Sequence, residues 1–167
     1  MIDRFDLSVA SMGEEHLPEV TRIESDSFAN PWSPSLFRQA LKDGRTTSFV
    51  ALIDRKVVGY AVLWVVGDFA ELGDIAVDRP WRGKGIGDRL LVDVIDACRV
   101  LGARSLFLEV RVSNTVAQQL YRKAGFKEIS RRGRYYSDPA EDAIVFGLDL
   151  ERAGRLDGSA SRTVDRE

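Results

Sequence analysis

The clearest pattern of apolar and polar positions lies in the middle of the chain. Between Ile86 and Leu101, apolar side chains recur at steps of three and four residues, which is the spacing of one helix face. That face consists of Ile86, Leu90, Leu91, Val94, Cys98 and Leu101. Gly102 follows and predicts a left-handed helix end. The segment is therefore predicted to be an amphipathic helix that packs on a core.

Short segments rich in Val, Ile, Ala and aromatic residues indicate strands on both sides of this helix. Residues 48–53 and 57–66 are separated by three polar residues and predict a hairpin, and residues 72–77 predict a third strand. Further strands are predicted at residues 5–9, 105–110, 126–129 and 143–150. Three strands joined by hairpins thus precede the central helix, which is not typical of a parallel sheet built from strand–helix units.

Three other segments predict helices. Residues 34–41 follow Ser33 and begin with Pro34, the serine-then-proline order that favours a helix start. Residues 115–124 predict a second helix, ended by Gly125. The third is expected to begin near residues 14–15, because Pro18 is tolerated only in a first helical turn.

The composition favours a single domain. The chain has 167 residues, 44% of them hydrophobic, and a net charge of −2. We therefore expect one core and no general attraction to nucleic acid or to anionic membranes. No apolar run approaches the roughly 18–20 residues of a membrane span, and residues 1–10 lack a signal-peptide pattern. We expect a cytoplasmic protein with one domain over residues 1–150 and a disordered polar tail over residues 151–167.

A basic, glycine-rich loop separates the third strand from the central helix. The loop consists of Arg82, Gly83, Lys84, Gly85, Ile86 and Gly87. Glycine lets backbone amides approach a ligand and a helix start offers unpaired N–H groups, so the loop predicts a phosphate or pyrophosphate site. A P-loop is excluded, because Gly-Lys is followed here by glycine rather than by serine or threonine. A dinucleotide-binding loop remains an alternative, weakened by the polar residues before the glycines and by the early third glycine.

Few other residues stand out as reactive groups. Cys98 is the only cysteine, so disulfide frameworks and cysteine metal clusters are excluded, and its place on the apolar helix face favours packing over nucleophilic catalysis. His16, the only histidine, is expected on the surface at the start of the first helix. Glu109 alternates with Leu108 and Val110, so its side chain faces either solvent or a functional site.

Several motifs resemble one acyltransferase superfamily. The spacing Arg82-x-x-Gly85-x-Gly87 resembles the acetyl-CoA loop of the GNAT acyltransferases. The chain also closely resembles one branch, the RimI-type ribosomal-protein-alanine N-acetyltransferases with their archaeal and eukaryotic N-terminal acetyltransferase relatives. The shared segments are LEVRVSN, LYRKAGF, YY…EDA, Phe28…Asn30-Pro31-Trp32-Ser33…Phe37 and Ile75-Ala76-Val77. The resemblance covers about residues 5–150 and implies an α/β (α+β) GNAT fold, whose mixed, mostly antiparallel central sheet has helices on both faces.

The resemblance also implies roles for individual residues. It implies Glu109 as general base and Tyr121 as general acid, with Glu71 on the neighbouring strand as an alternative base and core packing as an alternative role for Tyr121. The implied acetyl-CoA contacts are Ile75, Ala76, Val77, Arg82, Gly83, Lys84, Gly85, Ile86, Gly87, Asn114 and Tyr121. The implied contacts to the acceptor are Phe28, Pro31, Trp32, Tyr135 and Tyr136. From the residues alone, Phe28 and Trp32 equally suit loop packing or the wall of a groove.

The activity that the resemblance implies is transfer of an acetyl group from acetyl-CoA to the α-amino group of a protein N-terminus, directly within a ternary complex. The N-terminal alanine of a ribosomal protein is the leading acceptor, and we expect no metal, no nucleic acid and no membrane partner. One carboxylate base suffices, because an α-amino group has a pKa near 8. The alternatives are an acetyltransferase of small amines with the same fold, or a non-catalytic acyl-CoA-binding sensor domain.

Overall fold

One mixed β-sheet forms the centre of the structure, a computed structural model that describes residues 6–137 and 139–152. Across these residues, the strands are β1 (Leu7–Ser11), β2 (Thr46–Ile53), β3 (Lys56–Val66), β4 (Phe69–Val77), β5 (Ser105–Arg111), β6 (Lys127–Tyr136) and β7 (Glu141–Asp149). Their order in the sheet is β1-β2-β3-β4-β5-β7-β6. The α-helices that pack on it are α1 (Leu17–Ser27), α2 (Pro34–Lys42), α3 (Ile86–Val100) and α4 (Thr115–Lys123). Short 3-10 turns occupy Glu14–His16 and Arg79–Trp81.

Strand pairing divides the sheet into two parts at β4 and β5. Strands β1 to β4 pair antiparallel in sequence order, and β7 pairs antiparallel with both β5 and β6. Strands β4 and β5 pair in parallel, over residues 69–71 and 105–107 alone. Beyond these residues the two strands diverge, so the sheet has a V-shaped opening between their carboxyl ends.

Each face of the sheet has its own core. On one face, α3 buries Leu90, Val94 and Cys98 in a cluster with strand residues, as the spacing along the helix predicts. On the other face, α1 and α2 bury Ile23 and Phe37 against β2 and β3. A fully buried aliphatic or aromatic side chain of this size contributes about 1.5–3 kcal/mol. Both helical layers therefore hold the sheet in place around the V-shaped opening.

Local signals in the sequence set the ends of the helices. Ser33 Oγ accepts the Leu36 N–H at 3.3 Å and caps α2, and Gly102 has a φ of +86° just beyond α3, as predicted. His16 differs from its predicted surface position, because its side chain is only 17% exposed. Its Nδ1 accepts the Gly13 N–H at 2.8 Å, so the imidazole helps to begin the 3-10 turn that leads into α1.

The largest departure from the sequence prediction is β6, which was expected to end at Ile129 and extends to Tyr136. Almost every residue of this strand is exposed, because β6 pairs only with β7 at the edge of the sheet. The alternation that marks a half-buried strand is therefore missing. Register shifts against β7 and a φ of +49° at Arg134 interrupt the pattern further. The basic residues and the tyrosine pair thus lie on a strand.

The last strand ends at Asp149, and residues 150–152 continue in helical backbone. The predicted polar tail lies outside the described residues from position 153 onward. Where the structure describes the chain, none of the helices has the length and apolar character needed to cross a bilayer.

Candidate active site

The V-shaped opening between β4 and β5 is the centre of the candidate site. A bulge at Gly73 shifts the register of β4 against β3, and residues 75–77 then lie along the opening with no strand paired on the β5 side. Trp64 covers the bulge so closely that a Cβ at Gly73 would lie 1.8 Å from a ring carbon, which explains the glycine. Backbone N–H and C=O groups on an open strand edge are available to an extended ligand.

The glycine-rich loop follows the end of this strand and leads into α3. Gly83 has a φ of +74° and Gly85 has a φ of +87°, values that favour glycine. A Cβ at Gly83 would meet no atom within 4 Å, and no side chain caps the start of α3. The first N–H groups of α3 are therefore open to an anion near the V-shaped opening.

The two cations of the loop have different surroundings. Arg82 Nε donates to the Val77 carbonyl at 2.9 Å, and Arg82 Nη2 donates to Ser27 Oγ at 3.0 Å. This guanidinium therefore ties the end of β4 to the end of α1. Lys84 is half-buried in the loop. Backbone amides and Lys84 are thus better placed than the Arg82 side chain to meet a pyrophosphate.

The other predicted acetyl-CoA residues also have structural roles. Ile86 and Ala76 are buried in the core, so only their backbone atoms can contact a ligand. A Cβ at Gly87 would lie 3.5 Å from Leu120, an ordinary van der Waals distance, so α3 and α4 are neighbours at this point. Asn114 Oδ1 accepts an N–H from the first turn of α4 at 3.2 Å and caps that helix.

Glu109 lies on the face of β5 opposite its buried neighbours, as the alternation predicts. Arg132 Nε on β6 lies 3.3 Å from Glu109 Oε1. The Tyr135 hydroxyl also faces Glu109, and its interaction with this carboxylate is the main reason that the pKa of Tyr135 is raised. Glu71, the alternative base, is exposed on β4, and its charge also raises the pKa of Tyr135. Both carboxylates thus lie near Tyr135.

Tyr121 lies on α4, on the face of the sheet opposite the Glu109 side chain. Its ring packs against Phe126 and Phe146 at centroid distances of 5.8 and 6.0 Å. Burial raises the pKa of Tyr121, with smaller contributions from the nearby Asp74 and Tyr136, so the phenol keeps its proton at neutral pH. Its hydroxyl makes no hydrogen bond within the described residues, nor is it among the fully buried polar atoms that lack a partner. The small exposed area of Tyr121 therefore includes this oxygen.

The turn between α1 and α2 carries the first group of predicted acceptor residues. The Trp32 ring lies between Phe37 and Trp64, at centroid distances of 5.2 and 5.6 Å. Phe28 is half-buried and packs against the same core, whereas Pro31 is exposed. The packing role of Trp32 and Phe28 is thus present, and it fixes the turn on the sheet.

The end of β6, next to the turn that leads into β7, carries the second group. The Tyr135 and Tyr136 rings meet edge to face at 5.1 Å, and the Arg111 guanidinium lies 4.3 Å from the Tyr136 ring centroid. Burial raises the pKa of Tyr136 to about 12. Asn30 Nδ2 donates to the Ser137 carbonyl at 2.7 Å, which connects this turn to the one between α1 and α2.

Comparison with known proteins shows the family to which this sequence is related. The sequence matches the model of the acetyltransferase (GNAT) family over residues 17–126. The chain belongs to the GNAT acetyltransferase family. The ribosomal protein bS18-alanine N-acetyltransferase of Escherichia coli (strain K12) is 36% identical over 145 residues, which cover 86% of this chain and 97% of that protein. The enzyme of the same name from Salmonella typhimurium is 34% identical, with the same coverage.

Solved structures of GNAT proteins have the same architecture. The crystal structure of the E. coli ribosomal-protein-S18-alanine N-acetyltransferase superposes with a TM-score of 0.80 at 36% identity, covering 86% of this chain and 94% of that one. Ard1 from Thermoplasma volcanium superposes with a TM-score of 0.79 at 25% identity, covering 86% and 97% of the two chains. The predicted GNAT fold is therefore confirmed.

Membership of the GNAT family makes this chain an N-acetyltransferase that uses acetyl-CoA. The dinucleotide-binding alternative is wrong, because the strand before the glycine loop pairs antiparallel with β3 and belongs to the GNAT sheet. Cys98 is fully buried, and burial raises the pKa of its thiol to about 12, in line with a packing role. Within residues 6–137 and 139–152, no group of three or more histidine, cysteine or acidic side chains is arranged to hold a metal ion.

Sequence reasoning missed a buried polar cluster beside the GNAT site. Glu24 is 1% exposed and accepts hydrogen bonds from the Tyr60 hydroxyl and from the Trp32 N–H, the latter at 3.0 Å. The Asp74 carboxyl group contacts the same carboxylate. A signal was present, because Glu24 follows Leu17 by seven residues and therefore falls on the apolar stripe of α1.

A second missed feature holds α1 against the end of β4. The Arg22 guanidinium donates to both carboxylate oxygens of Asp78, at 3.2 and 2.8 Å, and holds the pKa of Asp78 below its usual range. Asp78 also accepts the Arg79 N–H at 3.0 Å. Together with the bond from Arg82 to Ser27, these contacts fix α1, and with it the first acceptor turn, to the strand that borders the opening.

Proposed function

We propose that this GNAT enzyme acetylates the α-amino group of a protein N-terminus, with the N-terminal alanine of a ribosomal protein as the leading acceptor. Two relatives, at 36% and 34% identity, are named for an alanine of protein bS18, and the match covers nearly their whole length. We expect the reaction to occur in the cytoplasm, where ribosomal proteins are made.

The observation that carries the proposal is the hydrogen bond between Asn30 and Ser137. It joins the turn between α1 and α2 to the turn that follows Tyr135 and Tyr136, and Tyr135 lies beside Glu109. The link between these two turns limits the space beside them and favours an acceptor that approaches Glu109 by its end. A free N-terminus meets this condition, whereas a chain that presents an internal lysine needs an open groove to cross.

In the proposed reaction, the acetyl thioester lies along residues 75–77 and the pyrophosphate meets the start of α3. Glu109 accepts a proton from the acceptor ammonium, directly or through water, because an α-amino group has a pKa near 8 and is largely protonated at neutral pH. The neutral amine attacks the acetyl carbonyl. Backbone N–H groups on the open edge of β4 then stabilise the oxyanion that forms.

Collapse of the oxyanion forms the amide and breaks the bond between the acetyl carbon and sulfur. The raised pKa of Tyr121 keeps its proton available, so the phenol donates to the departing thiolate. The second amine proton passes to water, and Tyr121 regains a proton from water while Glu109 releases its own before the next turnover. Transfer is direct, because Cys98 is too deeply buried to form an acyl-enzyme.

Release of CoA from acetyl-CoA tests the proposal over peptides that begin with alanine, serine or a bulky residue. The matched controls are the same peptides with blocked N-termini and an internal lysine, together with spermidine. We expect turnover on alanine and serine N-termini and none after blocking. Turnover on spermidine alone would favour the small-amine acetyltransferase, and bound acetyl-CoA without any turnover would favour the sensor domain.

A further inference from the structure

Three polar side chains from three elements meet behind the first acceptor turn. Glu24 on α1 accepts hydrogen bonds from the Tyr60 hydroxyl on β3 and from the backbone N–H of Trp32. Asp74 on β4 contacts the same carboxylate. Asp74 Oδ2 is buried, and no N–H or O–H group of another described residue donates to it.

These contacts bring two carboxyl groups together, and no arginine or lysine of the described residues forms an ion pair with either of them. The titratable groups that face the cluster are Glu24 from α1, Tyr60 from β3, Asp74 from β4 and Tyr121 from α4. Two adjacent carboxylates in a buried site are costly when both are ionised. Burial and the contact with Glu24 accordingly raise the pKa of Asp74 well above its usual value. Once protonated, Asp74 donates an O–H to Glu24, and the contact between two acceptors becomes a hydrogen bond.

The cluster connects the acceptor turn to the acetyl site. Trp32 belongs to the turn, whereas Asp74 immediately precedes residues 75–77 on the open edge of β4. A second contact joins the same regions, since the Trp32 ring lies 5.6 Å from Trp64, which covers the bulge at Gly73. The turn therefore rests on this part of β4 through one polar and one aromatic contact.

We propose that Glu24, Tyr60 and Asp74 form a positioning cluster, in which a neutral Asp74 and the Tyr60 and Trp32 donors all bond to the Glu24 carboxylate. The cluster sets the position of the acceptor turn relative to the acetyl-binding backbone. Its three side chains are positioning residues, because none is assigned to the reacting atoms. The identity of the acceptor in this inference rests on the proposed function. The protonation state of the cluster does not.

Substitutions at two positions test this arrangement. Glu24→Gln replaces one carboxylate oxygen by an NH2 group, which then faces a hydrogen-bond donor. We therefore expect the KM for the peptide acceptor to rise about tenfold, the effect of one lost hydrogen bond. The Kd for acetyl-CoA should stay within about twofold, because the glycine loop is untouched. Asp74→Asn keeps a neutral donor of similar size, so kcat/KM should stay within about twofold of the unsubstituted protein. Asp74→Ala removes the donor and should resemble Glu24→Gln.

The pH dependence of unfolding tests whether Asp74 holds a proton in the folded protein or only packs against Glu24. A carboxyl group whose pKa is raised by folding stabilises the fold below its unfolded pKa of about 3.9 and loses that contribution as the pH rises toward the folded pKa. The unfolding temperature of the unsubstituted protein should therefore fall, relative to that of Asp74→Asn, as the pH rises from about 5 to about 9.

Several results would overturn the inference. Equal loss of activity in Asp74→Asn and Asp74→Ala would mean that an ionised carboxylate is required, and parallel unfolding curves against pH would exclude the bound proton. If Glu24→Gln folds and its KM for the peptide acceptor is unchanged, the positioning role is excluded. If Glu24→Gln does not fold, Tyr60→Phe provides the same readout. The unfolding measurement is made without a peptide acceptor, so it tests the cluster alone. Failure of the proposed function would instead be seen as absent turnover on every N-terminus.

Discussion

Arg132 on β6 lies 3.3 Å from Glu109 on β5, although β7 separates their strands in the sheet. The arginine side chain is 58% exposed and the glutamate 17%. Tyr135 also interacts with this carboxylate, so two side chains of β6 lie beside the predicted base. The orientation of Glu109 therefore depends on an edge strand rather than on its own strand.

Replacing Arg132 by glutamine should affect activity much more than stability. Exposed ion pairs contribute about 0.2–1 kcal/mol, so we expect the free energy of unfolding in urea to change by less than about 1 kcal/mol. The kcat should fall about tenfold, because Glu109 loses the ion pair that orients it. Arg131→Gln is the matched control, since Arg131 pairs with Glu128 at 2.7 Å, and it should leave kcat unchanged. Equal kcat values in the two variants would contradict the orienting role.

Glu109→Gln should remove most of the activity and leave cofactor binding intact. Loss of a general base lowers kcat by about 10²–10⁴-fold, whereas the Kd for acetyl-CoA should change little because the glycine loop is distant along the chain. The comparison is Glu71→Gln, which we expect to retain most activity because Glu71 is exposed on β4. Steady-state kinetics and calorimetry measure both quantities. A larger loss in Glu71→Gln would move the base to β4.

Gly83→Ala should weaken acetyl-CoA binding by more than its backbone strain explains. Gly83 and Gly102 both have positive φ values, +74° and +86°, with no atom within 4 Å of an added Cβ. Each alanine should therefore cost a similar amount of stability, about 1–2 kcal/mol. We expect only Gly83→Ala to reduce acetyl-CoA affinity, by at least about tenfold, because its Cβ would enter the ligand space. Equal affinities in the two variants would place the pyrophosphate elsewhere.

Asn30→Ala should relax the selectivity for chain ends. The substitution removes the hydrogen bond to Ser137 and so weakens the link between the two turns. We expect kcat/KM on an alanine-starting peptide to fall about tenfold, while the rate on a lysine peptide rises relative to it. Asn30→Asp keeps the size of the side chain without the donor and should behave alike. A constant ratio of the two rates would show that the bond does not restrict access.

Asp78→Asn should destabilise the protein at neutral pH and have little effect in acid. Arg22 holds the pKa of Asp78 below its usual range. A carboxylate of this kind stabilises the fold above its unfolded pKa of about 3.9, and the contribution disappears as the pH falls through the folded pKa. The difference in urea midpoint between the two proteins should therefore be largest near about pH 7 and shrink below about pH 4. A difference independent of pH would exclude the ion pair as its cause.

The sequence alone determined the parts of this protein that depend on neighbouring residues. The apolar stripe predicted α3 and the burial of Cys98, and the glycines predicted an open helix start where Gly83 and Gly85 have positive φ values. The alternation around Glu109 predicted which face of β5 it occupies. Each of these properties follows from the backbone period or from the conformational range of single residues.

The tertiary structure decided what distant residues do together. Glu24 and Tyr60 are 36 residues apart, and Asn30 and Ser137 are 107 residues apart, so no local period relates their side chains. The part of β6 beyond Ile129 escaped prediction because a single exposed edge gives no alternating burial, yet Arg132 in this part pairs with Glu109. Burial and hydrogen bonding arise only when the sheet brings separate segments together, and for that reason the network around the site could not be derived from the order of residues.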